Sequence, residues 1–114
     1  MAPESLYCQY GEKTMAKSLD RGTLARVAPK LAELSQDVLF NDIWQRETLS
    51  PRERSLVTLG ALTALGRVQQ LPWHINFAQQ NGLSREELAE VFTHLAFYAG
   101  WPAAVSALGC LEEE

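Results

Sequence analysis

The chain has 114 residues, of which 46% are hydrophobic and 21% charged, proportions that give one folded domain and exclude a disordered chain. A formal net charge of −4, with three lysines (Lys13, Lys17, Lys30) and no basic run, excludes a general nucleic-acid binder, because duplex affinity rests on neutralising phosphates. Leucine and alanine number 31 against 14 for valine, isoleucine and threonine, and no period-2 alternation is sustained, so an all-α fold is expected.

The opening, MAPESLYCQYGEK, has neither a basic n-region nor a long apolar h-region, so it does not read as a signal peptide. A helix is expected within the first 20 residues. The reading divides the chain into an N-terminal segment, 1–26, partly helical or mobile, and a helical domain, 27–114. Ala28-Pro29 begins a helix to about Phe40. Ser50-Pro51-Arg52-Glu53 combines an N-cap serine, a proline at the first helical position and a capping-box glutamate. That helix is expected to run from Pro51 to about Leu65 and end near Gly66. Leu71-Pro72 opens a shorter helix through Gln80, closed by Asn81-Gly82, a pair that tolerates the left-handed cap. Ser84-Arg85-Glu86-Glu87 is a second capping box, opening a helix to about Ala99 with Gly100 as its stop. Trp101-Pro102 starts a last helix toward Leu111. The total is about five to six helices.

The longest apolar-rich stretch, Leu56 to Leu65, falls short of the roughly 18–20 residues that span a bilayer. Cys8 and Cys110 lie near opposite ends without a Cys-x-x-Cys, which suits reduced thiols in a cytoplasm. Two histidines and two distant cysteines offer no obvious metal site, and no metal ligand is assigned. No Gly-rich phosphate loop, Ser-His-Asp order or dinucleotide fingerprint occurs.

The helices differ in character. In the Ser84 helix, Leu88, Val91, Phe92, Leu95 and Ala99 make one apolar face. In the Pro51 helix, Leu56, Val57, Leu59, Ala61, Leu62, Ala64 and Leu65 surround nearly the whole cylinder. A helix of that kind must be covered on most sides. Neighbouring subunits are expected to help, giving an obligate oligomer, with Gly60, Ala61 and Ala64 small enough for close approach. The alternative is a central core helix within one subunit.

Helix Pro72–Gln80 carries His74 on a face shared with Trp73, Phe77 and Ala78. It reads either as a satisfied core residue or as a proton carrier, since desolvation by two aromatic rings lowers an imidazole pKa that already lies near neutrality. Arg67, at the turn before it, and Arg52, in the first turn of the Pro51 helix, read either as surface or dipole partners or as bidentate holders of an anionic substrate. His94 and Tyr98, four apart, form either a buried hydrogen-bonded pair or one polar edge of a pocket. Phe97, Tyr98 and Trp101 are expected to pack around Gly100.

The pieces LSPRERSLVTL, the LGR turn, the histidine followed by NG, and HLAFYAGWPAA all lie within Leu49 to Leu108. This block, about half the chain, resembles the carboxymuconolactone decarboxylase family, with its AhpD-like all-helical fold. The segment Ser35 to Arg46, with Asn41-Asp42-Ile43-Trp44, is similar to the decarboxylase as well. The resemblance implies a homo-oligomer, a trimer or hexamer. Its alkylhydroperoxidase branch carries a Cys-x-x-Cys, a histidine four residues later and a glutamate one helix earlier. Registered on His74, those positions hold Arg67, Gln70 and Ser55 here, so thiol chemistry is not available at that site.

Arg67 with His74 resembles instead the decarboxylase branch, which works without metal or organic cofactor. The implied activity is a cofactor-independent lyase of the 4-carboxymuconolactone type, acting on a small carboxylated lactone in aromatic-compound catabolism, with no nucleic-acid or membrane partner. His74, as proton donor, and Arg67 are the implied catalytic residues. Arg52, Ser55, Gln70, Trp73 and Tyr98 are the implied substrate-binding set. The alternatives are hydroperoxide reduction through Cys8 or Cys110, and a non-catalytic oligomeric binding module.

Overall fold

The computed structural model describes residues 19–113, and the helix starts expected from the sequence are visible in its hydrogen bonds. Ser50 Oγ accepts from the Glu53 backbone N–H at 3.1 Å, while the Glu53 carboxylate accepts from the Ser50 N–H at 2.8 Å. The same reciprocal pair joins Ser84 and Glu87 at 3.0 and 2.9 Å. Each box satisfies two donors that a helix N-terminus otherwise leaves open.

Among the described residues the chain forms six α-helices and no strand. They are α1 (Arg21–Val27), α2 (Pro29–Leu34), α3 (Pro51–Leu65), α4 (Leu71–Gln80), α5 (Arg85–Leu95) and α6 (Trp101–Glu112). The helix expected within the first 20 residues, and Cys8 with it, lies outside the described residues apart from Leu19 and Asp20.

Two helices depart from expectation at their C-terminal ends. The Pro29 helix reaches Phe40, but its last stretch, Ser35–Phe40, is π-helical, and Asn41 N–H reaches back five residues to the Gln36 carbonyl at 3.0 Å. A short 3₁₀ turn, Ile43–Gln45, follows. The Ser84 helix stops at Leu95, four residues before Ala99. There the bonds tighten, with Phe97 N–H on the His94 carbonyl and Tyr98 N–H on the Leu95 carbonyl, both at 3.1 Å. Gly100 then takes φ +108°, where a side chain is strained.

Gly66, at φ 72°, ends α3 in the left-handed conformation, and α4 folds back along α3. Asn81 Nδ2, just past α4, donates to Ser55 Oγ near the start of α3 at 3.0 Å. Helices α5 and α6 pair in the same antiparallel manner, with Arg85 and Glu112 3.7 Å apart at their outer ends. The core is drawn from these four helices and Leu83: Leu59, Leu71, Ile75, Leu88, Phe92 and Ala107 are almost wholly buried. Removal of that apolar surface from water is the main stabilising term.

Helix α3 buries one stripe only, Ser55, Leu59 and Thr63. Val57 and Leu65 are 64% and 66% exposed, and Ala61 and Ala64 face solvent. Within one chain α3 is therefore not the enclosed central helix of the alternative reading. Helices α1 and α2 bury no residue. The lead segment, residues 19–50, meets the four-helix core through aromatic rings, Trp44 against Phe77 at 5.0 Å and Phe40 against Trp73 at 5.9 Å between centroids. No helix among the described residues is long and apolar enough to cross a membrane.

Candidate active site

The turn between α3 and α4 sets a column of residues along the start of α4. The Arg67 carbonyl accepts from Gln70 N–H at 3.1 Å and Leu71 N–H at 3.2 Å, and the Gln70 carbonyl accepts from His74 N–H at 3.3 Å. These bonds continue the helical rise of α4 backward, so Arg67, Gln70 and His74 stand on successive turns of one face. Arg67 is exposed, while Gln70 and His74 are half-buried. No carboxylate among the described residues pairs with Arg67.

The His74 ring meets the Trp73 indole edge-on, with centroids 4.8 Å apart. Burial pushes its pKa below the ordinary 6.5, because a desolvated imidazolium loses hydration that no nearby carboxylate replaces. At neutral pH the ring is therefore uncharged, with one nitrogen a donor and the other an acceptor. Trp73 and Phe77 pack at 5.0 Å, and Phe77 leans on Trp44, forming an aromatic wall beside the imidazole.

The other expected site residues stand elsewhere in the chain. Ser55 is 2% exposed, and its hydroxyl is taken by Asn81, which makes it a tie between α3 and α4. Asn81 lies seven residues past His74, about 10 Å along the helix axis at 1.5 Å per residue. Arg52, one turn before Ser55, donates from Nη2 to Glu87 Oε2 of α5 at 2.5 Å. The Ser84 N–H and Arg52 together hold the Glu87 carboxyl below its usual pKa. Arg52 and Arg67 bracket α3, separated by about 22 Å of helical rise. A single copy of the chain therefore does not bring both arginines to one small substrate.

Tyr98 joins neither group. It is 80% exposed and stacks on His94 at 5.1 Å, beside a groove between α3 and α5 lined by Leu56, Gly60, Glu90, Val91 and His94. The buried hydrogen-bonded reading of His94 and Tyr98 is thus replaced by an exposed aromatic stack. Phe97 and Trp101 are also exposed, meeting edge-on at 5.9 Å. Ending α5 early turns these rings outward and leaves Gly100 without the packing expected around it. Cys110, half-buried, places its thiol 3.8 Å from the Val68 carbonyl, next to the Arg67 turn.

Arg21 carries the cation that the sequence reading missed. Its guanidinium lies 5.0 Å over the Phe40 ring and 5.8 Å from Trp73. Nothing local in the sequence signals it, because its partners are 19 and 52 residues away.

A helical hairpin that presents a half-buried histidine two turns beyond an exposed arginine defines, among the described residues, a small all-α unit with a candidate acid–base site. The carboxymuconolactone decarboxylase family model matches residues 29–113. A 4-carboxymuconolactone decarboxylase of Acinetobacter baylyi is 34% identical over 110 residues, covering 90% of this chain and 75% of that protein. The nitrosuccinic acid decarboxylase npaB of Metarhizium robertsii is 33% identical over 76 residues, covering 67% of this chain and 53% of that protein. An uncharacterised 15.0 kDa protein of Paracoccus denitrificans is 28% identical over 91 residues, 78% of this chain and 68% of its own length. The chain belongs to the carboxymuconolactone decarboxylase family, and its relatives support an enzyme of the lyase type.

Proposed function

We propose that the protein is a decarboxylase of the 4-carboxymuconolactone type, acting on a small carboxylated lactone with His74 as proton donor and Arg67 as carboxylate holder. The observation that carries this reading is the Arg67–Gln70–His74 column. Backbone hydrogen bonds put Arg67, Gln70 and His74 on successive turns, and the desolvated His74 imidazole lies against Trp73.

The chemistry follows from those groups. Arg67 pairs with the substrate carboxylate that is retained, using its planar fork of donors. The bond to the other carboxylate breaks and carbon dioxide leaves. The electron pair stays on the substrate and spreads onto the lactone carbonyl as a dienolate. The Gln70 amide donates to the oxygen where that charge grows, the type of contact whose loss commonly slows a reaction about 10²–10³-fold. His74 then delivers a proton to carbon and regains one from water. The neutral resting imidazole is not a strong acid. A bound dianion raises its pKa, so arrival of substrate loads it with the proton that it later gives up.

Arg52, Ser55 and Tyr98 enter this reading through assembly. We place the protein as a homo-oligomer, a trimer or hexamer, in which a neighbouring copy brings its Arg52 end toward the His74 column of the first. The exposed apolar residues Val57 and Leu65 of α3 favour that arrangement.

The direct experiment offers purified protein a panel of small lactones bearing two carboxylates and follows ultraviolet absorbance together with carbon dioxide release. Turnover of 4-carboxymuconolactone or a near analogue is expected. Absence of carbon dioxide release across the panel contradicts the proposal.

A further inference from the structure

One face of α4 turns away from the helical core toward the lead segment, and a cleft of about 380 Å³ lies between them, a size typical of small-molecule sites. It is lined by Arg21, Phe40, Trp73, Asn76, Phe77 and Gln80. Three features give it chemical character. The Arg21 guanidinium rests on the rings of Phe40 and Trp73, and no carboxylate among the described residues pairs with it. Stacking uses the face of a guanidinium and leaves its in-plane N–H fork for an anion. The walls are flat: Phe40, Trp73 and Phe77 meet one another at 5.0 to 6.1 Å. At the far edge Gln80 Nε2 donates to Asn76 Oδ1 at 3.0 Å, a bond that does not use the Asn76 amide hydrogens or the Gln80 oxygen.

We propose that this cleft binds a planar organic carboxylate, with the carboxylate on Arg21 and the flat body against Phe40, Trp73 and Phe77. A bare inorganic anion would use the guanidinium and waste the walls. A neutral ring would use the walls and leave the cation unpaired. An organic cation would have to displace Arg21 from the aromatic faces. Trp73 is the wall shared with the His74 column, but the cleft draws its cation from α1 and its amides from the opposite side of α4. The inference rests on the cleft alone and not on the decarboxylase reading.

The test uses the full chain labelled with ¹⁵N and follows the indole N–H signals of Trp44, Trp73 and Trp101 during titration with benzoate. Benzamide serves as the neutral isostere and inorganic phosphate as the anion without a flat body. Benzoate is expected to shift the Trp73 signal saturably and leave Trp101 in place, with benzamide and phosphate at least tenfold weaker. A charge-assisted hydrogen bond is worth roughly a 10–100-fold change in affinity. Arg21→Gln should therefore bind benzoate no better than benzamide, and Arg21→Lys should fall between. Arg21 sits on a helix that buries no residue, so both variants should melt with the wild type. Equal affinity for benzoate and benzamide, unchanged binding by Arg21→Gln, or a Trp73 signal that does not move would each overturn the proposal. The readout is binding, so failure to turn over a lactone leaves it untouched.

Discussion

In the proposed reaction His74 serves proton transfer only because its charge can change, and its surroundings bias that change in a measurable direction. Burial lowers its pKa in the folded chain, so the unfolded chain takes up the proton more readily as acid is added. Its stabilising contribution is therefore fully present above the ordinary value of about 6.5 and is lost as pH falls below it toward the folded value. Urea midpoints taken from pH 8 to pH 5 should drop more steeply for wild type than for His74→Phe. Parallel curves would show that the imidazole is not desolvated. Arg67 makes the complementary case. It is exposed and carries no ion pair among the described residues, so Arg67→Gln should leave the melting temperature unchanged while lowering kcat/KM by about 10²-fold. A melting temperature that falls with activity would recast it as structural. Sequence alone supplied both residues but not their status, because exposure and pairing are tertiary properties. It could not supply Arg21, whose ring partners are brought to it by the fold.

At the scale of elements, the punctuation of the chain was readable because capping is local. Ser50-to-Glu53 and Ser84-to-Glu87 spacings specify their own hydrogen bonds, and removing either serine hydroxyl as Ser→Ala should cost about 1 kcal/mol in chemical denaturation. Helix ends were less readable. The apolar spacing of Leu95 and Ala99 suggested that α5 continues, yet the backbone tightens after Leu95, an outcome that periodicity does not encode. Helix α3 also carries a buried hydroxyl without a hydrogen-bond partner among the described residues, Thr63 Oγ1. Thr63→Val keeps the shape and removes the desolvated polar atom, so it should match or exceed wild-type stability, by up to about 1 kcal/mol. A clear loss in the same denaturation experiment would mean that the hydroxyl has a partner in solution.

For the whole molecule, the class of fold followed from composition and capping, and the family from the motifs between Leu49 and Leu108. The candidate site followed only in part. Arg67, Gln70 and His74 lie on successive turns and are local in sequence, so their spacing was readable. Arg52 and Ser55 lie at the other end of α3, and only the antiparallel course of α3 and α4 shows how far that is from His74. If a neighbouring copy supplies Arg52, inactive Arg52→Ala and His74→Ala chains mixed after denaturation and refolded together should regain part of the wild-type rate. Mixtures that stay as inactive as their components would confine the site to one protomer. Light scattering on the same samples should report a trimer or hexamer, and a monomer at micromolar concentration would remove the argument from the exposed face of α3.

In the proposed reaction the His74 imidazole delivers the proton that replaces carbon dioxide, and this step can be isolated. It is tested most directly by single-turnover kinetics of His74→Gln beside wild type on 4-carboxymuconolactone, with circular dichroism showing both folded. Decarboxylation by wild type, slowed about 10²–10⁴-fold in the variant, is the predicted result. A folded His74→Gln protein that forms product at the wild-type rate would contradict it.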